Sequence, residues 1–295
     1  MWQELQIFGF RALWSPYYLI FIGVLIFAYF LLFIKRREEK RATKNQIIYF
    51  HIGMLFLYII KGSPIDLLSH IMFTAHMVQM ALYYLFFPIL IIKGIPKWAW
   101  ERIFNVPVLR NILRLLTKPL IALIVFNGLF SFYHIPVIFD FAKADVFAHA
   151  FITVTILIAA FLMWWPVFTP IKEMDTLSPI LKIGYIVANG VLITPPACAL
   201  IIFAPNALYQ TYGGASGGWI QALALCVPAN VLSGLELSGP EMFSPLKLVE
   251  DQQLGGILMK ISQEIIYGII LARIFFPWFR SGADKIDPLP TEQQT

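Results

Sequence analysis

The sequence predicts an all-α integral membrane protein, a bundle of seven transmembrane helices, and three observations carry that expectation. Hydrophobic residues make up 59% of the 295-residue chain and charged residues only 13%, where a soluble domain carries about 25% charged residues. The mean hydropathy is +0.74. The apolar residues fall in long continuous runs, and sixteen of the 22 basic residues lie in alternate connections between those runs.

A helix needs roughly 20 apolar residues to cross the hydrocarbon core. The first run, Tyr17–Ile34, is 18 residues long, which exceeds the apolar core of a signal peptide, about 7–15 residues. Basic residues follow it and no small-x-small cleavage site ends it, so it is expected to stay as the first span. The second, Asn45–Ile60, is short. The third, Leu67–Ile92, holds two of the five histidines. Pro119–Phe139 and Val146–Ile171 are the fourth and fifth. The sixth, Ile183–Phe203, contains Pro195-Pro196, which should kink it. The seventh, Leu254–Pro277, contains Lys260, Glu264 and Arg273.

The connections complete the picture. Trp98 to Lys118 mixes aromatics, leucines and basic residues and reads as an interfacial helix on the inner leaflet. Residues 204–235 are uncharged and long enough for an eighth span, but Gly213, Gly214, Gly217, Gly218, Pro228 and Gly234 interrupt them. The segment 204–253 is therefore expected to be an external loop lying against the membrane. The transmembrane domain covers residues 1–283, and the acidic, Pro-containing stretch 284–295 is expected to be a disordered cytoplasmic tail.

Charge sets the orientation. The connections after the first, third, fifth and seventh spans carry sixteen Lys and Arg, and the opposite side carries four: Arg11, Lys61, Lys143 and Lys247. The positive-inside rule places the sixteen in the cytoplasm, with the N-terminus outside. The net charge of +5 comes from these clusters and is no nucleic-acid signature. The two cysteines, Cys198 and Cys226, form no CxxC and read as small buried hydrophobes. No phosphate loop or kinase motif is present, and no enzymatic activity is expected.

Polar residues inside the membrane are the remaining chemical signal, because they are costly there. Four of the five histidines gather toward the outer leaflet: His70 and His76 in the third span, His134 at the end of the fourth and His149 at the start of the fifth. His51 lies toward the cytoplasm. On one continuous helix at about 100° per residue, His70, His76, Met77 and Met80 would share an arc of roughly 120°. Imidazole and thioether together suit copper, with thioether favouring Cu(I). Met259 and Met242 could add sulfur. The alternative for the methionines is ordinary core packing, and for each histidine a hydrogen bond to a neighbour. Asp140 and Asp145, flanking Lys143 between His134 and His149, could orient imidazoles or be solvated loop charges, and Asp66 is similar. Lys260 and Glu264 are spaced to pair; a retinal-type lysine is the other reading of Lys260.

The opening FGFRALWSPYYLI, the element HIMFTAHMVQM leading to Pro88, FYHIP followed by Asp140, and DQQLGGILMK before the last span together resemble the CtaG proteins, assembly factors for bacterial caa3-type cytochrome c oxidase. The resemblance covers nearly the whole chain, with the motifs in the same order. It implies a multi-pass protein of the bacterial plasma membrane whose partners are oxidase subunits and whose cargo is copper. His70, His76, Met77, His134 and His149 fall on the family's recurring positions, as do Asp251 and Met259 in its last motif. Where many relatives have a further His, this chain reads Gln79-Met80, which makes Met80 a substitute ligand. Alternative functions are a membrane b-type haem protein with axial histidines, a metal-free assembly scaffold, and a copper transporter, for which only His51 and Met163 offer soft ligands toward the inner side.

Overall fold

The structure is a computed structural model that describes residues 2–36, 40–194, 198–214 and 218–283. The Pro195-Pro196 kink and the tail 284–295 lie outside the described residues. The described residues are helical or irregular, with no strand among them. Four helical stretches are long and apolar enough to cross a membrane, namely Trp2–Ile34, Phe73–Gly94, Val146–Phe168 and Leu248–Arg280, and two bent pairs bring the number up to six. This is the architecture of a membrane protein.

The helices in chain order are α1 (Pro16–Tyr29), α2 (Lys44–Lys61), α3 (Pro64–Ile71), α4 (Phe73–Met80), α5 (Phe87–Gly94), α6 (Pro107–Leu116), α7 (Pro119–Tyr133), α8 (Pro136–Ala144), α9 (Val146–Phe168), α10 (Pro179–Thr194) and α11 (Leu248–Ala283). Many starts follow local sequence. Thr43 and Gln46 form a capping box on α2, satisfying two donors at the helix start. Proline at the first or second position opens α1, α3, α6, α7 and α8, where its missing N–H costs nothing. The preceding Ser15 adopts φ +34°, a left-handed turn that separates the N-terminal helical turns from α1.

The expected third span is not one helix. Met72 is extended, with φ −129° and ψ 136°, and divides α3 from α4. α2 and α3 instead form a pair bent by 42°. The helical projection that placed His70 on one face with His76, Met77 and Met80 therefore fails at His70, which belongs to a separate helix. Beyond α4 the chain widens into a π-turn over Ala81–Phe86. Pro88 has no N–H to give the carbonyl one turn back, and a π-bulge is the usual way to absorb such a gap.

The remaining elements also refine the expectation. α6 meets α7 at 83°, with Val108 and Ile112 exposed, so the amphipathic helix stands across the direction of its span. Among the described residues of 204–247 there are only short helices, Gly218–Leu223 and Ala229–Leu232 among them, and none long enough for an eighth crossing, while α11 already begins at Leu248. Trp219, Leu223 and Val227 from it pack with Leu5, Phe8 and Leu13 of the N-terminus and Leu67 and Ile71 of α3. This second apolar cluster caps the end of the bundle that carries the histidines.

Candidate functional site

The site begins with the break at Met72. The carboxylate of Asp251, near the start of α11, accepts the backbone N–H of Phe73 at 2.6 Å and of Thr74 at 3.2 Å, and Thr74 Oγ1 donates to the Asp251 carbonyl at 2.8 Å. Asp251 thus caps α4 from a different helix, satisfying donors that α3 can no longer reach. This fixes where α4 starts and so where His76 points.

His76 is 0% exposed and neither ring nitrogen has a hydrogen-bond partner. Its ring packs edge-on against Phe139, with centres 5.0 Å apart, and lies 6.1 Å from the ring centre of His134. His134 Nδ1 stands 2.7 Å from the Phe130 carbonyl, which assigns the proton to Nδ1 and leaves the Nε2 lone pair free. Nε2 is buried and unpartnered. An imidazole held through one nitrogen by a backbone carbonyl, with the other nitrogen bare, is the arrangement of a metal ligand. Burying bare polar atoms otherwise costs free energy. Phe73, Tyr133, Phe139 and Tyr209 wall the pair with rings.

A second pair lies closer to the surface. His70 and His149 have ring centres 5.6 Å apart, and both line a cavity of about 530 Å³ with Arg11, Lys61, Asp66 and Cys226. His149 Nδ1 is buried without a partner. Behind this pair is Lys143 on α8, only 1% exposed. Its Nζ lies 3.3 Å from His70 Nδ1 and 3.4 Å from the Ser69 carbonyl, with the rings of Phe139 and Tyr212 beside it. Burial pushes the Lys143 ammonium down to about 7, and Lys61 adds to the shift. A near-neutral amine can donate to Ser69 while standing beside an imidazole.

The four expected histidines are thus brought together in two pairs. Among the described residues, no three His, Cys, Asp or Glu side chains converge on one point, so a metal at either pair would need thioether or exogenous ligands. Met80 follows His76 by four residues and shares its face of α4. Met77 turns to α11 instead, where a Cβ at Gly255 would meet Met77 Cγ at 3.2 Å. Met259, fully buried, lies one turn along from Gly255 on the same helix. Met242 packs in the second apolar cluster, with its sulfur 3.4 Å from Ser238 N.

Of the carboxylates open to either reading, Asp140 and Asp145 take backbone donors and Asp66 takes side-chain donors. Asp140 accepts from Gln210 N at 3.2 Å, Thr211 N at 3.0 Å and Thr211 Oγ1 at 2.6 Å. Asp145 caps α9 through Ala148 N at 2.7 Å. Asp66 pairs with Lys61 and accepts from Gln79. Asp140 and Asp145 sit next to loop or helix N–H groups that would otherwise be bare, and those donors win over more distant rings. Gln79 also donates to the Ile60 carbonyl at 2.8 Å, so it ties α4 to α2. His51 Nδ1 likewise stands 2.7 Å from a carbonyl four residues back, that of Ile47.

Two features escape a reading by residue type. Lys143 looks like a loop charge, yet Phe139, Ala142 and Lys143 form the buried face of α8, a spacing of three and four that marks it. In the bundle interior, Asn127 donates to Asn189 at 2.6 Å, and Asn189 donates to Tyr267 at 2.8 Å and Met163 sulfur at 2.9 Å, tying α7, α9, α10 and α11 together. Lys260 meets Glu264 at 2.5 Å, Thr194 Oγ1 at 2.8 Å and Gln263 Oε1 at 3.2 Å, as the spacing implied.

Neither the curated proteins nor the solved structures give a significant match to this chain. The family model for the cytochrome c oxidase caa3 assembly factor, Caa3_CtaG, matches residues 26–281, which takes in α2 to α11 and both histidine pairs; the chain belongs to that family.

Proposed function

We propose that this protein is a non-enzymatic assembly factor of the bacterial plasma membrane that binds copper near the outer leaflet and aids its insertion into caa3-type cytochrome c oxidase. The observation that carries the copper reading is the His76–His134 pair: three imidazole nitrogens buried without partners, on rings whose centres are 6.1 Å apart. Imidazoles with a nearby thioether suit copper, and few neutral ligands suit a cargo that must leave again. His76 and His134 would hold the ion, with Met80 as the thioether. His70 and His149, at the open cavity, would receive it. Phe73, Phe139 and Tyr133 keep water from the inner pair, and the Phe130 carbonyl holds His134 in the ligating tautomer.

The architecture in this proposal is seven spans with the N-terminus outside. α10, with the helical turn Leu200–Ile202 after it, supplies the sixth span. The sixteen basic residues on one side support the orientation. Both histidine pairs then open toward the extracytoplasmic side, where the oxidase subunits would be met.

The test is the metal content of the purified protein after loading with Cu(I), compared with His76→Ala and His134→Ala. About one copper per chain, lost in both variants, is expected, together with failure of oxidase assembly in cells carrying either variant. No bound copper in a native protein that oxidase assembly still requires would leave a scaffold without metal. A Soret band in the same preparation would favour the haem reading instead.

A further inference from the structure

The apolar side of α6 is open. Val108 is 79% exposed, and Leu109, Ile112 and Leu115 are exposed with it. At about 100° per residue these four, with Leu113 and Leu116, fill one arc of roughly 160°, and Arg110, Asn111 and Arg114 fill the arc opposite. Apolar and basic faces set back to back on one short helix suit the boundary between acyl chains and headgroups.

The fold holds α6 at that boundary. Only Thr117 and Lys118 separate it from α7, and the two helices meet at 83°. With α7 as the fourth span, α6 lies in the plane of the membrane at the level where the span enters. The charge there is one-sided. From Lys97 to Lys118 there are five basic residues and one acid, Glu101, and Glu101 pairs with Lys97 at 3.2 Å. Arg102, Arg110, Arg114 and Lys118 are exposed. Arg114 and Lys118, one turn apart, line a cavity of about 440 Å³ at the elbow, with Glu173 and Thr176 of the connection after α9 across from them.

We infer that α6 beds in the leaflet on the basic side of the bundle and binds anionic phospholipid there. Val108, Ile112 and Leu115 enter the acyl region, and the headgroup phosphate sits between Arg114 and Lys118. Glu173 accepts from a headgroup hydroxyl, which fits phosphatidylglycerol. The occupant follows from charge and position together. Water would leave the apolar arc bare, and a protein partner would have to supply both the apolar surface and the negative charge. An anionic leaflet supplies both and already stands at this level. This inference rests on α7 being a span and not on copper binding.

The test places the full chain, without copper, in nanodiscs of equal phosphatidylglycerol and phosphatidylcholine, and native mass spectrometry counts the lipid that stays bound. The native chain should retain phosphatidylglycerol over phosphatidylcholine by roughly tenfold. Arg110→Gln with Arg114→Gln and Lys118→Gln should bring that ratio close to unity. Lys35→Gln with Arg36→Gln and Lys44→Gln removes the same charge from the connection after α1 and should leave the preference largely in place. A benzoyl-phenylalanine photo-crosslinker at Ile112 in native membranes should give a lipid adduct. No preference for phosphatidylglycerol, an equal loss in both triple variants, or an adduct from Ile112 to a protein would overturn the inference. Should the α6 triple variant fail to fold, Arg114→Gln alone decides, by lowering the ratio or leaving it unchanged. Because copper is absent throughout, failure here leaves the copper reading untouched.

Discussion

The Asp251 carboxylate accepts the Phe73 backbone N–H at 2.6 Å across 178 residues of chain. A helix start in the middle of the bundle is thereby set by a side chain from the last span. Asp251→Ala leaves the Phe73 and Thr74 N–H groups bare in a dry site. A lost N-cap costs about 1–2 kcal/mol, and burial of the bare donors puts this one at the upper end or above. The expected outcome is a thermal midpoint in detergent lowered by several degrees, with Asp251→Asn recovering part of it because the amide oxygen still accepts.

This long-range cap also shows where sequence reading stops. Three of the apolar runs, Tyr17–Ile34, Asn45–Ile60 and Val146–Ile171, coincide with helical stretches within about three residues, because continuous hydrophobicity needs no knowledge of neighbours. The break at Met72 does not announce itself. The stretch HIMFTAH has no glycine or proline, and only Asp251 makes an interruption there affordable. The histidines were legible as a set because imidazole is rare in apolar runs, but their pairing was not, since the break turns His70 toward His149 and His76 toward His134. Asp140 and Asp145 stay open between aids to the histidines and solvated loop charges, because the sequence does not show which N–H groups lie nearer.

His76 holds two buried nitrogens with no partner, so it weakens the metal-free fold. His76→Leu, similar in volume, removes the desolvated polar atoms and keeps the packing against Phe139. The metal-free protein is expected to gain about 1–3 kcal/mol, the range for an unsatisfied buried group, while losing copper. Thermal melts of both proteins with and without Cu(I) check this: copper should raise the midpoint of the native protein and leave His76→Leu unmoved. A His76→Leu protein less stable than the metal-free native form would show that the ring is structural.

Lys143 gives a pH dependence of known sign. Its folded pKa is pushed down to about 7 by burial, while an unfolded lysine titrates near 10.4. Between these values the unfolded chain holds a proton that the folded chain lacks, so stability is lowest below about pH 7 and rises as pH climbs toward about 10. Lys143→Met keeps the stem and removes the charge. Its thermal midpoint should exceed that of the native protein at pH 6, with a clearly smaller gap at pH 9. A gap constant over that range would mean that Lys143 is not titrating there.

Gly94 and Gly128 separate close helix packing from helix propensity. A Cβ at Gly94, the end of α5, would meet the Phe50 backbone nitrogen at 2.8 Å and its Cα at 2.9 Å. Backbone cannot swing aside as a flexible side chain can, so α2 and α5 must part. The Gly94 carbonyl accepts the Tyr29 hydroxyl at 2.8 Å, and Tyr29 stacks on Phe50 with ring centres 3.8 Å apart, so parting the helices loosens α1 as well. Gly94→Ala is expected to cost about 1–3 kcal/mol, the range for overpacking. At Gly128, inside α7, a Cβ meets nothing within 4 Å, and alanine there should stabilise by roughly 0.4–1 kcal/mol through the unfolded chain. Melting both variants in one detergent gives shifts of opposite sign if α2 and α5 touch through backbone at Gly94, and shifts of the same sign if they do not.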